Sequence, residues 1–328
     1  MHLKACLFND TSDENHHGCN LVVNNLLSGL SRNNISVTKR FPTRCKFWKN
    51  RDLSRTLNEF DLIIINGEGT LHDESNYGER LLQIVNLTNR PTYLINSSYY
   101  NNPPEWAAYL TKFRAIFTRD SQSANDISRL IGKEVPWMPD LSLLKPFSPQ
   151  PTANRQGTIC GDSVIDDITE QLMAWSQADN TDFLPIMSSP IRIIPGRTGL
   201  KRRINVSTST ISRLIANRLS GQGNYKKQHA DYIDAISKSS QHITGRFHGV
   251  CISLMTRTPF LGIESNIPKI SRMLDDIGLG QERILTEISK TTIYGDVAFS
   301  VDELAMINAY IEKARSQFDQ FVTIAHQG

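Results

Sequence analysis

The chain has 328 residues, 39% hydrophobic and 21% charged, a composition of soluble globular proteins; at this length two domains of about 150 residues each are expected. Its 36 basic and 33 acidic side chains leave a formal charge of +3, too mild to require nucleic acid or an anionic membrane as partner. The first ten residues lack the pattern of a secretion signal, and no run approaches the roughly 18 apolar residues of a membrane span, so a cytoplasmic protein is expected.

Along the chain, short apolar runs alternate with helical patterns. Leu3 to Asn9 reads as a strand and Asn20 to Leu30 as an amphipathic helix. Phe60 to Asn66, with Leu-Ile-Ile-Ile at its centre, reads as a buried strand ending in the loop Gly67-Glu-Gly-Thr70, and Glu79 to Leu87 as a helix. Thr92 to Asn96 and Ala115 to Phe117 are further strands, the second leading into Arg119-Asp120. Pro146, Pro149 and Pro151 cluster among polar residues and predict a linker over 146–156. Strands then resume at Gly157 to Cys160, Thr181 to Ile186, His242 to Thr244 and Pro259 to Glu264. Leu304, Ile307, Ile311, Ala314, Phe318 and Phe321 recur at three- and four-residue spacing, which predicts a helix from Val301 to Ile324.

This alternation implies an α/β fold with parallel pairing and helices on both sheet faces. Two similar halves, 1–145 and 157–300, are expected, with the terminal helix of 301–328 packing back on the first. In such doubly wound domains ligands gather at the carboxyl ends of strands.

The segment His242-Ile-Thr-Gly-Arg-Phe-His-Gly249, followed by the apolar Val250-Cys-Ile-Ser-Leu-Met255, places Arg246 and His248 where a strand hands over to a helix. A helix start offers unpaired N–H groups and partial positive charge, so phosphate or carboxylate is the expected guest. His248 is a candidate proton donor as well, since imidazole titrates nearest neutrality. The competing reading is a buried, hydrogen-bonded histidine beside a structurally paired arginine.

Gly245-Arg-Phe-His-Gly249, an apolar helix, Thr258-Pro-Phe260 and Pro268-Lys-Ile270 resemble the C-terminal signature of the polysaccharide pyruvyl transferases. Upstream, Asn66-Gly-Glu-Gly-Thr-Leu71, Phe117-Thr-Arg-Asp-Ser121 and Asp140 after Pro139 are similar to that family's blocks, in the same order over roughly residues 15 to 275. The resemblance implies two Rossmann-like domains facing a central cleft, the GT-B architecture. It also implies transfer of the enolpyruvyl group of phosphoenolpyruvate onto a sugar of a surface polysaccharide or its lipid- or nucleotide-linked precursor, as a pyruvate ketal with release of phosphate.

Within that reading Arg119 and Arg246 grip the donor's carboxylate and phosphate. Gly245 and Lys269 complete the donor site. His248 is the general acid, protonating either the donor's methylene carbon or the departing phosphate oxygen. The family's first loop usually carries an acid where this chain has Cys19, aligned by Asn15, His16 or His17 and Gly18. Glu68 is the substitute expected to act in its place, and His17, Asn66, Glu68 and His72 are expected to line the acceptor side.

No metal and no cofactor beyond the donor substrate are expected. His16, His17, His72 and Asp73 do not form a recognised ligand spacing. The five scattered cysteines contain no Cys-x-x-Cys pair, so reduced and mostly buried thiols are the expectation. Gly67-Glu-Gly69 is neither a dinucleotide fingerprint nor a phosphate loop. The basic run of 190–205, with Arg192, Arg197, Lys201, Arg202 and Arg203, is solvated loop charge or a patch recruiting an anionic, lipid-pyrophosphate-linked acceptor at the inner membrane face or a nucleotide-linked donor; without interleaved aromatics it does not suggest single-stranded nucleic acid. The rival reading is a GT-B glycosyltransferase using a nucleotide sugar, with Arg246 on the diphosphate and Glu264 on a ribose. A non-catalytic sugar-binding protein is a third.

Overall fold

The structure, a computed structural model, describes residues 2–145, 147–148, 154–189, 225–288 and 297–328. The basic run of 190–205 and most of the proline-rich stretch therefore lie outside the described residues.

Residues Leu3–Asp10 (β1), Ile35–Pro42 (β2), Leu62–His72 (β3), Thr92–Tyr100 (β4) and Ala115–Thr118 (β5) form a parallel sheet of order β2-β1-β3-β4-β5. Thr158–Ser163 (β6), Asp182–Phe183 (β7), Gln241–Gly245 (β8) and Phe260–Gly262 (β9) form a second parallel sheet of order β7-β6-β8-β9. The continuous apolar runs of β1 and β3 follow from this design. Helices cover both faces of the sheet, so Ala5 to Phe8 and Leu62 to Ile65 are fully buried on either side.

Three elements differ from the sequence reading. Strand β2 carries almost no apolar signal, because it is an edge strand with only Ile35 buried. Gly67 to Thr70 is not a loop: β3 continues through it beside β4, pairing Glu68 with Ser97 and His72 with Tyr100 after a register shift. The strands pass so closely there that a Cβ on Gly67 would lie 2.4 Å from Cβ of Ser97. Thr181 to Ile186 contains only a two-residue strand, since the chain then crosses towards the first sheet: His17 N–H donates to Ile186 O at 3.1 Å and Ser188 N–H to Asn15 O at 2.8 Å.

The helices that position the site are His17–Arg32 (α1), Asn76–Leu82 (α2), Ser121–Ile131 (α3), Asp166–Ala178 (α4), His229–Lys238 (α5), Phe247–Thr256 (α6), Lys269–Ile277 (α7) and Val301–Gln327 (α8). Helix α8 opens with a capping box, Ser300 and Glu303 each satisfying the other's backbone N–H. It returns to the first sheet. Phe321 meets Tyr93 and Phe117 edge-on, Phe318 lies over Gly29, and the His326 ring donates to Asn33 O at 2.8 Å. Helix α6 is buried along its whole length, so its start is held at a fixed place between the sheets. One apolar cluster runs from Leu26 and Phe117 through Met138 and Leu141 to Val250 and Phe321, joining both halves in a common core.

Candidate active site

The carboxyl ends of the two sheets face each other across a small cavity of about 130 Å³, lined by His16, Glu68, Gly69 and Arg119 from the first half and by Val164, Arg246, Phe247, His248, Ser265 and Lys269 from the second. Residues more than 200 positions apart thus converge because each follows the end of a parallel strand or opens the next helix.

Arg119 leaves β5 almost completely buried and is aimed by three contacts. Its Nε donates to Ser98 Oγ at 2.7 Å, Nη1 faces Asp140 Oδ2 at 3.5 Å, and the guanidinium lies 4.2 Å from the Phe247 ring centroid. Arg246 is the N-cap of α6 and is oriented by Asp162 at the end of β6, through Nε at 2.8 Å and Nη2 at 2.5 Å. Both arginines are pre-organised by an acid behind them, so less side-chain entropy is lost when an anion binds in front.

No side chain caps the start of α6. Its first N–H groups are therefore open to an anion. The starts of α1 and α7 are already occupied: His16 Nδ1 accepts from Cys19 N–H at 3.2 Å, while the Glu264 carboxylate accepts from Ile270 N–H at 3.1 Å and Ser271 N–H at 2.9 Å. Glu264 is thus committed to capping α7, contrary to the ribose-binding role expected in the nucleotide-sugar reading.

His248 Nε2 is buried without a hydrogen-bond partner among the described residues and faces Asp140 Oδ2 at 3.6 Å. Burial alone would raise the Asp140 carboxyl, but the neighbouring His248, the Arg119 guanidinium and Ser142 outweigh it and hold the acid well below the usual carboxylate range. Asp140 is therefore an ionised group behind both His248 and Arg119. Gly18, at the start of α1, allows this packing, since a Cβ there would lie 2.2 Å from Cβ of His248.

Glu68 takes a left-handed conformation, φ 44°, at the bulge in β3. It accepts from Thr11 Oγ1 at 2.5 Å, Asn66 Nδ2 at 2.9 Å and Cys19 Sγ at 3.4 Å. The strain of such a backbone is sustained by these three donors and by a buried lattice in which Asn66 also binds Asn9 O and Asn96 Nδ2. Lys269, the first residue of α7, projects into the cavity from the other side; burial and the two arginines push its ammonium down to about 7.

Other expected site residues stand elsewhere. His17 does not line the cavity: it is 1% exposed, stacks on Tyr232 and shares a 2.7 Å hydrogen bond with His229 of α5. Its neighbour His16 occupies the cavity wall instead, because the N-cap and the first helical residue point in different directions. Asn66 is fully buried and supports Glu68 rather than facing the cavity, and Gly245 lies against Ser163 at the end of β8. His72 pairs with Asp73 at 3.0 Å on the outer rim. Asp162, which the sequence reading missed, carried one signal: an acid at the end of a predicted strand.

The four residues weighed as a metal set do not gather. His16, Cys19 and His248 do bring ligand atoms within 4.8 Å of one another. Arg119, Arg246, Lys269 and the open start of α6 surround them, however, and burial with the adjacent Glu68 drives the Cys19 thiol far above its ordinary range. Of the five cysteines, all free, four are buried and Cys45 is half-buried.

Two Rossmann-like domains joined face to face by a returning C-terminal helix define the GT-B scaffold of glycosyltransferases and sugar-nucleotide epimerases. The fold is similar to that of the UDP-GlcNAc 2-epimerase of Methanocaldococcus jannaschii, at TM-score 0.57 and 8% identity, covering 99% of this chain and 100% of that one. It is similar also to the UDP-GlcNAc 2-epimerase of Neisseria meningitidis (TM-score 0.55, 10% identity, 99% and 100% covered) and to the glycotransferase of kitacinnamycin (TM-score 0.51, 8% identity, 100% and 99% covered). The sequence pattern of the polysaccharide pyruvyl transferases matches residues 16–266, and the chain belongs to that family of enzymes. It matches no curated protein. Among the described residues no helix is long and apolar enough to cross a membrane.

Proposed function

We propose that this enzyme transfers the pyruvyl unit of phosphoenolpyruvate onto two hydroxyls of a sugar in a polysaccharide or its precursor, forming a pyruvate ketal and releasing phosphate. The observation that carries this reading is the convergence of Arg119, Arg246, Lys269 and His248 on one small cavity at the uncapped start of α6. Phosphoenolpyruvate presents a carboxylate and a phosphate on three carbons, which calls for several fixed cations at close quarters.

His248 gives a proton to the methylene carbon, creating an oxocarbenium-like centre at the carbon bearing the carboxylate. One sugar oxygen adds to that centre and loses its proton to Glu68; the carbon–oxygen bond to phosphate breaks and the departing phosphate takes that proton from Glu68; the second sugar oxygen takes its place and returns its proton to His248. In balance, one hydroxyl proton ends on the new methyl group and the other leaves with phosphate. Asp140 stands behind His248 and keeps it oriented. A basic acceptor-recruiting role for 190–205 and a site of action at the inner membrane face remain parts of this proposal.

The test is a thermal-shift series followed by turnover. Phosphoenolpyruvate at 100 times its Kd stabilises the protein by about 2.7 kcal/mol, whereas UDP, GDP and CMP do not. His248→Gln keeps that stabilisation and loses at least about 100-fold in turnover, while Arg119→Gln loses the stabilisation itself. Stabilisation by a nucleotide alone would replace this reading with the nucleotide-sugar one.

A further inference from the structure

Among the described residues, Arg119, Arg246 and Lys269 face the cavity, and they are not equivalent. Arg119 has Asp140 behind it and Arg246 has Asp162. Lys269 has no such close ion pair: among the described residues its ammonium hydrogen-bonds only Asn266 Oδ1, at 3.2 Å, while the nearby Glu264 carboxylate accepts the N–H groups of Ile270 and Ser271. Gly69 lies beside two of the cations: a Cβ there would be in ordinary contact with Arg119 Nη2 at 3.5 Å and Lys269 Nζ at 3.7 Å.

We propose that Lys269 balances the charge of the donor pocket, taking up a proton from solvent when the phosphate- and carboxylate-bearing donor binds and so coupling donor affinity to pH. This rests on the donor reading given above and deepens it. In the empty cavity the two guanidiniums oppose a third positive charge beside them, which is why burial together with Arg119 and Arg246 lowers the ammonium to about 7. A bound donor reverses the sign of the local field and favours the ammonium. The groups facing Lys269 are Arg119 from the end of β5, Arg246 from the start of α6, Glu264 from the loop before α7 and Cys19 from α1, with Glu68, His16 and His248 on the same cavity wall.

The sign follows from linkage. Below the empty-pocket value Lys269 is already charged and binding takes up nothing through it. Above that value each bound donor draws in up to one proton, and affinity falls by as much as about tenfold per pH unit until the value in the complex is reached. The phosphate's own second ionisation, near 6, is complete in this range and does not contribute.

Isothermal titration of the wild type with phosphoenolpyruvate at pH 8, in two buffers of different ionisation enthalpy, is expected to show uptake of roughly half a proton or more per donor bound. Lys269→Arg, which carries a permanent charge, binds the donor without that uptake and with a flat affinity profile from pH 7 to 9. Lys269→Gln binds more weakly and also takes up nothing, whereas His248→Gln retains the uptake. Uptake that persists in Lys269→Arg, or its absence in the wild type, overturns the role of Lys269 and leaves the donor reading standing. A wild type that does not bind phosphoenolpyruvate overturns both.

Discussion

At Gly18 a methyl group would meet Cβ of His248 at 2.2 Å and Cγ at 2.4 Å, with no flexible end to yield. Gly18→Ala is therefore expected to push the imidazole off Asp140, lowering stability by about 1–3 kcal/mol and turnover by up to about 100-fold while leaving the arginines in place. Denaturant melts and steady-state kinetics on the variant check this; wild-type values in both would mean the imidazole has room that the packing denies. The same scale shows what could be read from residue types. Arg119, Arg246 and His248 were legible because each follows an apolar run that becomes a strand, Glu68 and Lys269 only through the family's motifs, and all five reach the cavity. His16 and His17 were interchangeable on paper. Their separation depends on helix geometry: the N-cap has extended backbone, φ −116° and ψ 119°, and the next residue begins the helical turn towards α5.

Among the elements, α8 is the one whose sequence pattern and packing agree most closely. Its apolar stripe of Ile307, Ile311, Ala314, Phe318 and Phe321 is buried, with Phe321 fully enclosed between Tyr93 and Phe117. Phe321→Ala is expected to cost about 3–5 kcal/mol in chemical denaturation, with the loss felt mainly through the first sheet. A loss under 1 kcal/mol would mean the helix is not integral to that core. Helix α6 was legible as apolar, but strand β2 was not, because an exposed edge strand needs no hydrophobic run. The continuation of β3 past Gly67 was hidden for a different reason. Local turn residues favour a loop, and only pairing with β4 and the donors around Glu68 hold the chain extended.

Across the whole molecule, the two halves are pinned on both sides of the cleft. Ser121 N–H donates to Asp276 Oδ2 at 3.0 Å and Arg272 Nη1 to Tyr99 O at 3.2 Å on one side; the His17–His229 pair closes the other. Burial first, and then His229, push the His17 imidazole down to about 4, and burial lowers His229 and brings His242 to about 3. In the unfolded chain each titrates near 6.5, so between that value and about 4 the unfolded state holds more protons. Stability is complete above pH 6.5 and declines as pH falls, by on the order of 2 kcal/mol at pH 5 for His17 alone. Thermal melts from pH 7 to 5 should show the decline, and His17→Gln should make it shallower; an unchanged slope would remove His17 from the linkage.

The amino-acid sequence alone determined the α/β class, the helical pattern of the terminal segment and the family's succession of motifs, because periodicity and strand-end residues are local properties. Only the tertiary structure decided which histidine faces the cavity, which acids stand behind the arginines and that, among the described residues, Lys269 has no ion pair of that kind. Those are matters of direction and distance between segments far apart in the chain, set by how two sheets pack around one core.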